Sequence, residues 1–229
     1  MKVALIALAL LSIGASAYAW DSAYVFSPGD VNLPEVREAF YCQQPSTGWG
    51  AWNASSGFNS EEADDIPATY AGQGVTEVVL YVAEWGGGWT NPQGMIVNFY
   101  NQSCPPNQVA DYSFSVPWAQ CTASMVYNGS WYVYEVLIPL GGTVTLGSTT
   151  SLGGIVDQNW GQNAPYCGLT FCDTVAGCEM YWSGAYWGYP RWSPYSSYFG
   201  YPGDMAYCIG SGEVPTQDTS WGRVKSLYR

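Results

Sequence analysis

Four carboxylates fall within five positions at Glu61, Glu62, Asp64 and Asp65. A hard cation such as Ca²⁺ takes about six to eight oxygen ligands, so this is where the sequence offers a metal site, and Ca²⁺ is the one cofactor it brings forward. The order of the four does not match an EF-hand loop, and a strand turns Asp64 and Asp65 to opposite faces. The alternative is a solvated acidic turn in which one Asp caps the start of a strand.

The second chemistry is contact. Ten of the 23 residues from Tyr181 to Gly203 are aromatic, interrupted by Gly and Pro, which predicts a long loop or hairpin. Aromatic rings offer a flat face to sugar C–H groups and a polar edge to hydroxyls. Trp182, Tyr186, Trp187, Tyr189, Arg191 and Trp192 are the candidate ligand-binding residues. The competing reading folds these rings down over one face of the domain with Arg191 stacked among them. A wider platform would require Trp49, Trp52, Trp85, Trp89, Trp118 and Trp131 to share that face.

Catalysis finds little support. The chain has no histidine, which excludes Ser-His-Asp and Cys-His catalysis and any imidazole metal ligand. No G-x-S-x-G elbow or P-loop is present, and Gly86-Gly-Gly88 has the character of a flexible turn. A glycoside hydrolase needs two carboxylates facing each other across a cleft. Glu77, Glu84, Glu135, Asp157 and Glu179 lie in or beside expected strands, but no local acid–base motif joins them, and Glu77 and Glu84 face opposite sides of one strand. Carboxylates on strands also serve solubility and edge protection. No catalytic residue is assigned and the chain is expected to be a non-enzyme, with a hydrolase of dispersed acids as an alternative.

These residues need elements to position them. Of 229 residues 48% are hydrophobic, 10% charged and 17% aromatic, with a formal net charge of -12. A core is affordable, whereas nucleic-acid binding, which needs a positive surface, is excluded. Expected strands are Val75–Glu84, Met95–Tyr100, Asp111–Val116, Trp131–Leu140, Thr143–Leu146, Leu152–Gln158, Glu179–Trp182 and Met205–Ile209. In Met95–Tyr100, Met95, Val97 and Phe99 alternate with Ile96, Asn98 and Tyr100. Pro139 marks a strand end or an edge. One short helix is expected at Leu33–Phe40. The fold class is all-β: an antiparallel β-sandwich or jelly roll with long aromatic loops and at most one short helix.

The ends differ from the body. Residues 1–19 have a Lys, an apolar run and an Ala17-Tyr18-Ala19 cleavage site, the pattern of a secretory signal peptide, and the run is too short to span a membrane. The expected division is 1–19 signal peptide, 20–58 N-terminal extension, 59–210 sandwich and 211–229 linker with basic tail. All seven cysteines lie beyond the signal peptide, so most are expected in disulfides, with a local staple among Cys167, Cys172 and Cys178 and one thiol left over. Zinc fits their spacing poorly.

Four stretches resemble a β-sandwich module of secreted proteins from environmental and candidate bacterial phyla: Glu62-Ala-Asp-Asp-Ile66, Val75–Tyr81, Ile96-Val-Asn-Phe-Tyr100 and Gly203-Asp-Met-Ala-Tyr-Cys-Ile209. That pattern opens on Ala-Asp-Asp-Phe, where this chain has Ile66, continues with an F-x-I-x-F-Y strand and closes with D-L-A-F-x-L. Residues 220–229, Ser-Trp-Gly-Arg-Val-Lys-Ser-Leu-Tyr-Arg, are similar to the T-W-G-x-I-K-x-L-Y-R ends of some such proteins. The resemblance implies export and a jelly-roll-like fold and brings no catalytic residue. The functional expectation is a secreted, non-catalytic binding or surface/matrix module, contacting polysaccharide or cell-surface matrix through aromatic loops. The alternative is a self-assembling subunit of an extracellular layer or filament, associating through the tail or the odd cysteine.

Overall fold

A computed structural model describes residues 24–25, 39–45, 50–85, 91–128, 131–158, 167–172, 175–189, 191–200 and 202–211. The expected signal peptide, residues 33–38 of the expected helix, the Gly86-Gly-Gly88 turn and residues 212–229 of the tail lie outside them.

The described residues form fifteen strands: β1 (Tyr24–Val25), β2 (Ala39–Gln43), β3 (Gly50–Asn53), β4 (Ser60–Asp65), β5 (Gly74–Glu84), β6 (Gly94–Tyr100), β7 (Tyr112–Pro117), β8 (Thr122–Asn128), β9 (Tyr132–Thr145), β10 (Ser151–Asp157), β11 (Cys167–Cys172), β12 (Tyr181–Gly184), β13 (Ser193–Pro194), β14 (Asp204–Met205) and β15 (Tyr207–Gly210). They make an antiparallel β-sandwich. One sheet has six strands in the order β13-β12-β4-β10-β6-β7. The other has nine, with β1-β3-β11-β5-β15-β2 as its main path, β9 and β8 beyond β5, and β14 on β11.

Alternation explains the layers. Val78, Leu80 and Val82 of β5, Met95, Val97 and Phe99 of β6, Val136 and Ile138 of β9, and Leu152 and Val156 of β10 share one buried core between the sheets. Fully burying each such side chain stabilises the fold by about 1.5–3 kcal/mol. The intervening residues of β5, Val79, Tyr81 and Ala83, belong to a second apolar cluster with Trp131 and Val133. Gly154 is required by close approach, because a Cβ there would collide with Leu169 and Leu80.

Several expectations change. Trp131–Leu140 and Thr143–Leu146 merge into the single strand β9. Pro139 lies inside it, just past Leu137, the last residue paired with β8, and opposite a register shift in β5. Its missing N–H therefore falls where the ladder is locally open. The α-helix is Ser196–Phe199, inside the aromatic stretch, and Ala39 and Phe40 begin β2. Strand β4 occupies the stretch expected as an acidic turn. The disulfides are Cys42–Cys208 and Cys104–Cys178. Cys178 is thus paired across 74 positions rather than within a local staple. Closing loops this long costs the unfolded chain about 4–5 kcal/mol each in entropy. No helix among the described residues is long and apolar enough to cross a membrane.

Carboxylates join the two sheets. Asp64 of β4 accepts hydrogen bonds from Gln43 Nε2 of β2 at 2.9 Å and from the Met205 amide of β14 at 2.8 Å. Asp204 accepts from the Ala176 amide at 2.6 Å. Burial, with the charges of Asp204 and Asp65 added, drives the Asp64 carboxyl well above the usual range. Burial is also the main reason the Asp204 carboxyl is pushed up to about 7, against the relief of its Ala176 hydrogen bond. A carboxyl whose folded value is raised binds its proton more tightly when folded. That stability is complete below the unfolded value near pH 4 and is lost as pH rises through about 7. The melting temperature is expected to fall between pH 5 and pH 8, and Asp204→Asn to flatten that slope. Thermal melts at both pH values check it, and a slope of equal size in wild type and variant refutes the role of Asp204.

Candidate functional site

The outer face of the six-stranded sheet carries an open cleft of about 440 Å³. Its floor comes from strand alternation. Asn98 and Tyr100 of β6 point away from the core that takes Val97 and Phe99, and Ala63 of β4 packs with Tyr100 and Trp192. Glu61 lies on that same face of β4. Its side chain runs along the sheet over β10, where Gly153 leaves the space: a Cβ there would collide with Glu61 Oε1 and the Tyr100 ring.

Glu61 is the hub. Its Oε1 accepts from Tyr100 Oη at 2.6 Å and from Asn98 Nδ2 at 2.8 Å, and its Oε2 pairs with Arg191 Nη2 at 3.1 Å. The same Nη2 donates to Tyr100 Oη at 3.0 Å. The guanidinium carbon sits 4.8 Å from the Trp192 ring centroid, a cation–π contact. Trp192 donates Nε1–H to the Asn107 carbonyl at 2.8 Å and meets Tyr100 edge-on at 5.3 Å. Its φ of 58° is in the left-handed region, rare for a bulky residue. Burial raises the Glu61 carboxyl, partly opposed by Asn98, Tyr100 and Arg191. The Tyr100 hydroxyl is held far above its usual value by burial and by the Glu61 charge.

The cleft wall opposite Glu61's own strand includes Gln108 and Val109 from the connection between β6 and β7. That connection is tied down by Cys104–Cys178, and the Cys178 amide donates to Asp65 Oδ1 at 2.8 Å. Val109 is 77% exposed. Tyr186, 57% exposed, stands edge-on against Phe58 at 4.6 Å, and the neighbours of Phe58, Ser56 and Asn59, line the cleft.

The six aromatic-stretch candidates divide. Trp182 is 1% exposed, part of the inter-sheet core, and donates Nε1–H to the Asn53 carbonyl at 2.9 Å. Trp192 is buried too, so neither presents a ring face for stacking. Tyr189 is half-buried, edge-on to Tyr198 at 4.6 Å and tilted on Trp182. Tyr186 is exposed, Arg191 lines the cleft, and the side chain of Trp187 lies outside the described residues. Of the other tryptophans, Trp85 and Trp131 meet at 5.6 Å in the cluster on β5's other side and Trp118 packs against the inter-sheet core, while Trp49, Trp89 and the side chain of Trp52 lie outside the described residues.

The four calcium candidates separate by the same alternation. Glu61 and Asp65 take the outer face, while Asp64 points to the opposite sheet. Glu62 is fully buried, and desolvation drives its carboxyl well above the usual range. One cation cannot reach all four. Among the described residues Asp65, Cys104 and Cys178 cluster as potential metal ligands, but both sulfurs are spent in their disulfide. Cys121 forms no disulfide, and burial pushes its thiol up to about 11, which leaves little thiolate for reaction.

Asn98, Tyr100 and Gln108 were not among the candidates. The alternation of Met95–Tyr100 was the available signal for the first two, since it sets one polar and two large residues on a single face. Compared with known proteins, the chain matches no family model, no curated sequence and no solved structure.

Gly153→Ala tests the hub. The added methyl must displace the Glu61 carboxylate or the Tyr100 ring, an overpacking cost of about 1–3 kcal/mol. Urea denaturation is expected to show a lower midpoint, and an unchanged midpoint would show that Glu61 does not lie over β10.

Proposed function

We propose that this chain is a secreted, non-catalytic binding module that takes a saccharide in the cleft on the outer face of its six-stranded sheet. The observation that carries the reading is the hydrogen-bonded set of Arg191, Glu61, Asn98 and Tyr100 at the base of an open cleft. Exposed Tyr186 and Val109 beside it supply apolar surface. Sugars present polar hydroxyls and apolar C–H faces together, and a site of this volume with few fixed polar groups suits a small ligand. Glu61 is the one carboxylate among the described lining residues, whereas glycoside hydrolysis uses two, so binding is favoured over cleavage. Two disulfides and the signal-peptide pattern support export. Affinity electrophoresis against a panel of soluble and insoluble glycans is expected to show retardation. Arg191→Ala and Tyr186→Ala should each weaken it about tenfold, the loss of one charge-assisted hydrogen bond or one stacked ring. Absence of retardation on every glycan removes the saccharide.

A second reading, self-assembly into a layer or filament, is favoured by the edge of the nine-stranded sheet. Strand β8 pairs only with β9 among the described residues, and Thr122–Met125 are all exposed. No charged residue lies between Asp111 and Glu135, although edges are commonly blocked by charge. The edge of a second copy is a chemically matched occupant of such an unprotected edge. Light scattering across a concentration series is expected to show a salt-insensitive oligomer that Ala123→Lys abolishes. A monomer at all concentrations rejects this reading.

A further inference from the structure

Arg191 is the one cation among the described residues, in a chain with 18 acidic and 6 basic residues. Only one of its nitrogens serves the interior: both hydrogens of Nη2 are committed, to Glu61 Oε2 and Tyr100 Oη. Guanidinium has five N–H donors, so Nε and Nη1 keep three, and the side chain is 36% exposed in the cleft. The contact with Trp192 fixes the plane of this fork. Glu61, by contrast, is 4% exposed with both oxygens already accepting. Among the described residues, the exposed polar ones lining the cleft besides Arg191 are neutral, Asn59 and Gln108. Within an acidic protein, the described residues of this cleft offer a ligand a positive charge and no free carboxylate.

We infer that the saccharide taken by the cleft is an acidic one, its carboxylate or sulfate docked on the Nε–Nη1 edge of Arg191. This rests on the saccharide-binding reading of the same cleft. A planar fork matches a carboxylate or sulfate in two parallel hydrogen bonds, which an ammonium cannot reproduce. The negative body repels a continuous polyanion, so short oligomers are the suitable ligands.

The arrangement couples binding to a proton. A bound anion shares the guanidinium charge that Glu61 otherwise has to itself, and the buried Glu61 carboxyl responds by taking up a proton. The groups facing Glu61 are Arg191 and Tyr100, with Asn98 from β6, Ser183 opposite it on β12 and Gly153 on β10. Asp157, farther along β10, is engaged by the Ser56 hydroxyl, and Asp65 by the Cys178 amide. Binding of acidic ligands therefore tightens as pH falls.

Isothermal titration of the full chain with oligogalacturonate, its neutral methyl ester and a sulfated galactose oligomer, at pH 5 and pH 7.5, tests this. Acidic oligomers are expected to bind about tenfold more tightly at pH 5, and the neutral ester to show no pH dependence. Glu61→Gln keeps the shape and frees Arg191, so it should tighten acidic binding at pH 7.5 and abolish the pH effect. Arg191→Lys should lose the preference for acid. If Glu61→Gln does not fold, the wild-type pH dependence decides alone. Uronate and sulfate arms tell the two anions apart, and either supports the inference. Equal binding of neutral and acidic oligomers overturns it while leaving the saccharide site standing, and no binding of any oligomer overturns both.

Discussion

Burial of the carboxylates on β4 is the constraint around which the rest is arranged. Strand β4 lies between β12 and β10, and all six of its residues, Ser60–Asp65, are buried. Carboxylates removed from water must be protonated, paired or hydrogen-bonded, and each of the four takes a different course. Asp64 takes donors from the opposite sheet, Asp65 holds the amide next to the Cys104–Cys178 bridge, and Glu61 gathers the cleft. Glu62 has the least help, and desolvation raises its carboxyl well above the ordinary range.

This changes what the net charge means. The value of -12 counts every acid as ionised, yet Glu62 and Asp64 are shifted well above the ordinary carboxylate range and Asp204 to about 7. A raised carboxyl holds its proton to higher pH, so these groups ionise later in a titration of the folded domain than in the unfolded chain. The acids are also unevenly spread: between Glu84 and Asp157 the sequence contains only Asp111 and Glu135. Strands β6 to β10 all come from that charge-poor span, so both sheets have a flank with little electrostatic protection.

The all-β class and the strands with strong period-two or β-branched patterns were legible in the sequence, and β6 was legible down to which side chains face the core. Strand β4 was not, because Glu, Glu, Asp and Asp have low strand propensity, and only partners distant in sequence, Gln43, Asn98, Arg191 and Met205, make their burial tolerable. Strand β11 was hidden for a related reason, since its terminal cysteines suggested a stapled loop. At the candidate site, Glu61 and Arg191 were both legible as individual residues, one in a proposed metal cluster and one among aromatic rings. Their pairing spans 130 positions, and no local pattern encodes a contact of that range.

The aromatic stretch shows how such a site is positioned. Its density of rings invites the idea of a stacking platform, but two of its tryptophans work from inside. Trp182 fills the inter-sheet core, and Gly184 follows it because a Cβ there would meet the indole. Trp192 lies beneath the guanidinium in a left-handed backbone conformation, the kind of local strain that costs about 1–3 kcal/mol and persists only where surrounding contacts over-determine it. Here they are the Asn107 carbonyl, the edge of Tyr100 and the packing of Ala63. What the strain secures is the placement of the next residue back, Arg191, between a buried carboxylate and open solvent. The buried rings therefore act indirectly, by fixing where one positive charge stands, and among the described rings of the stretch Tyr186 is the exposed one.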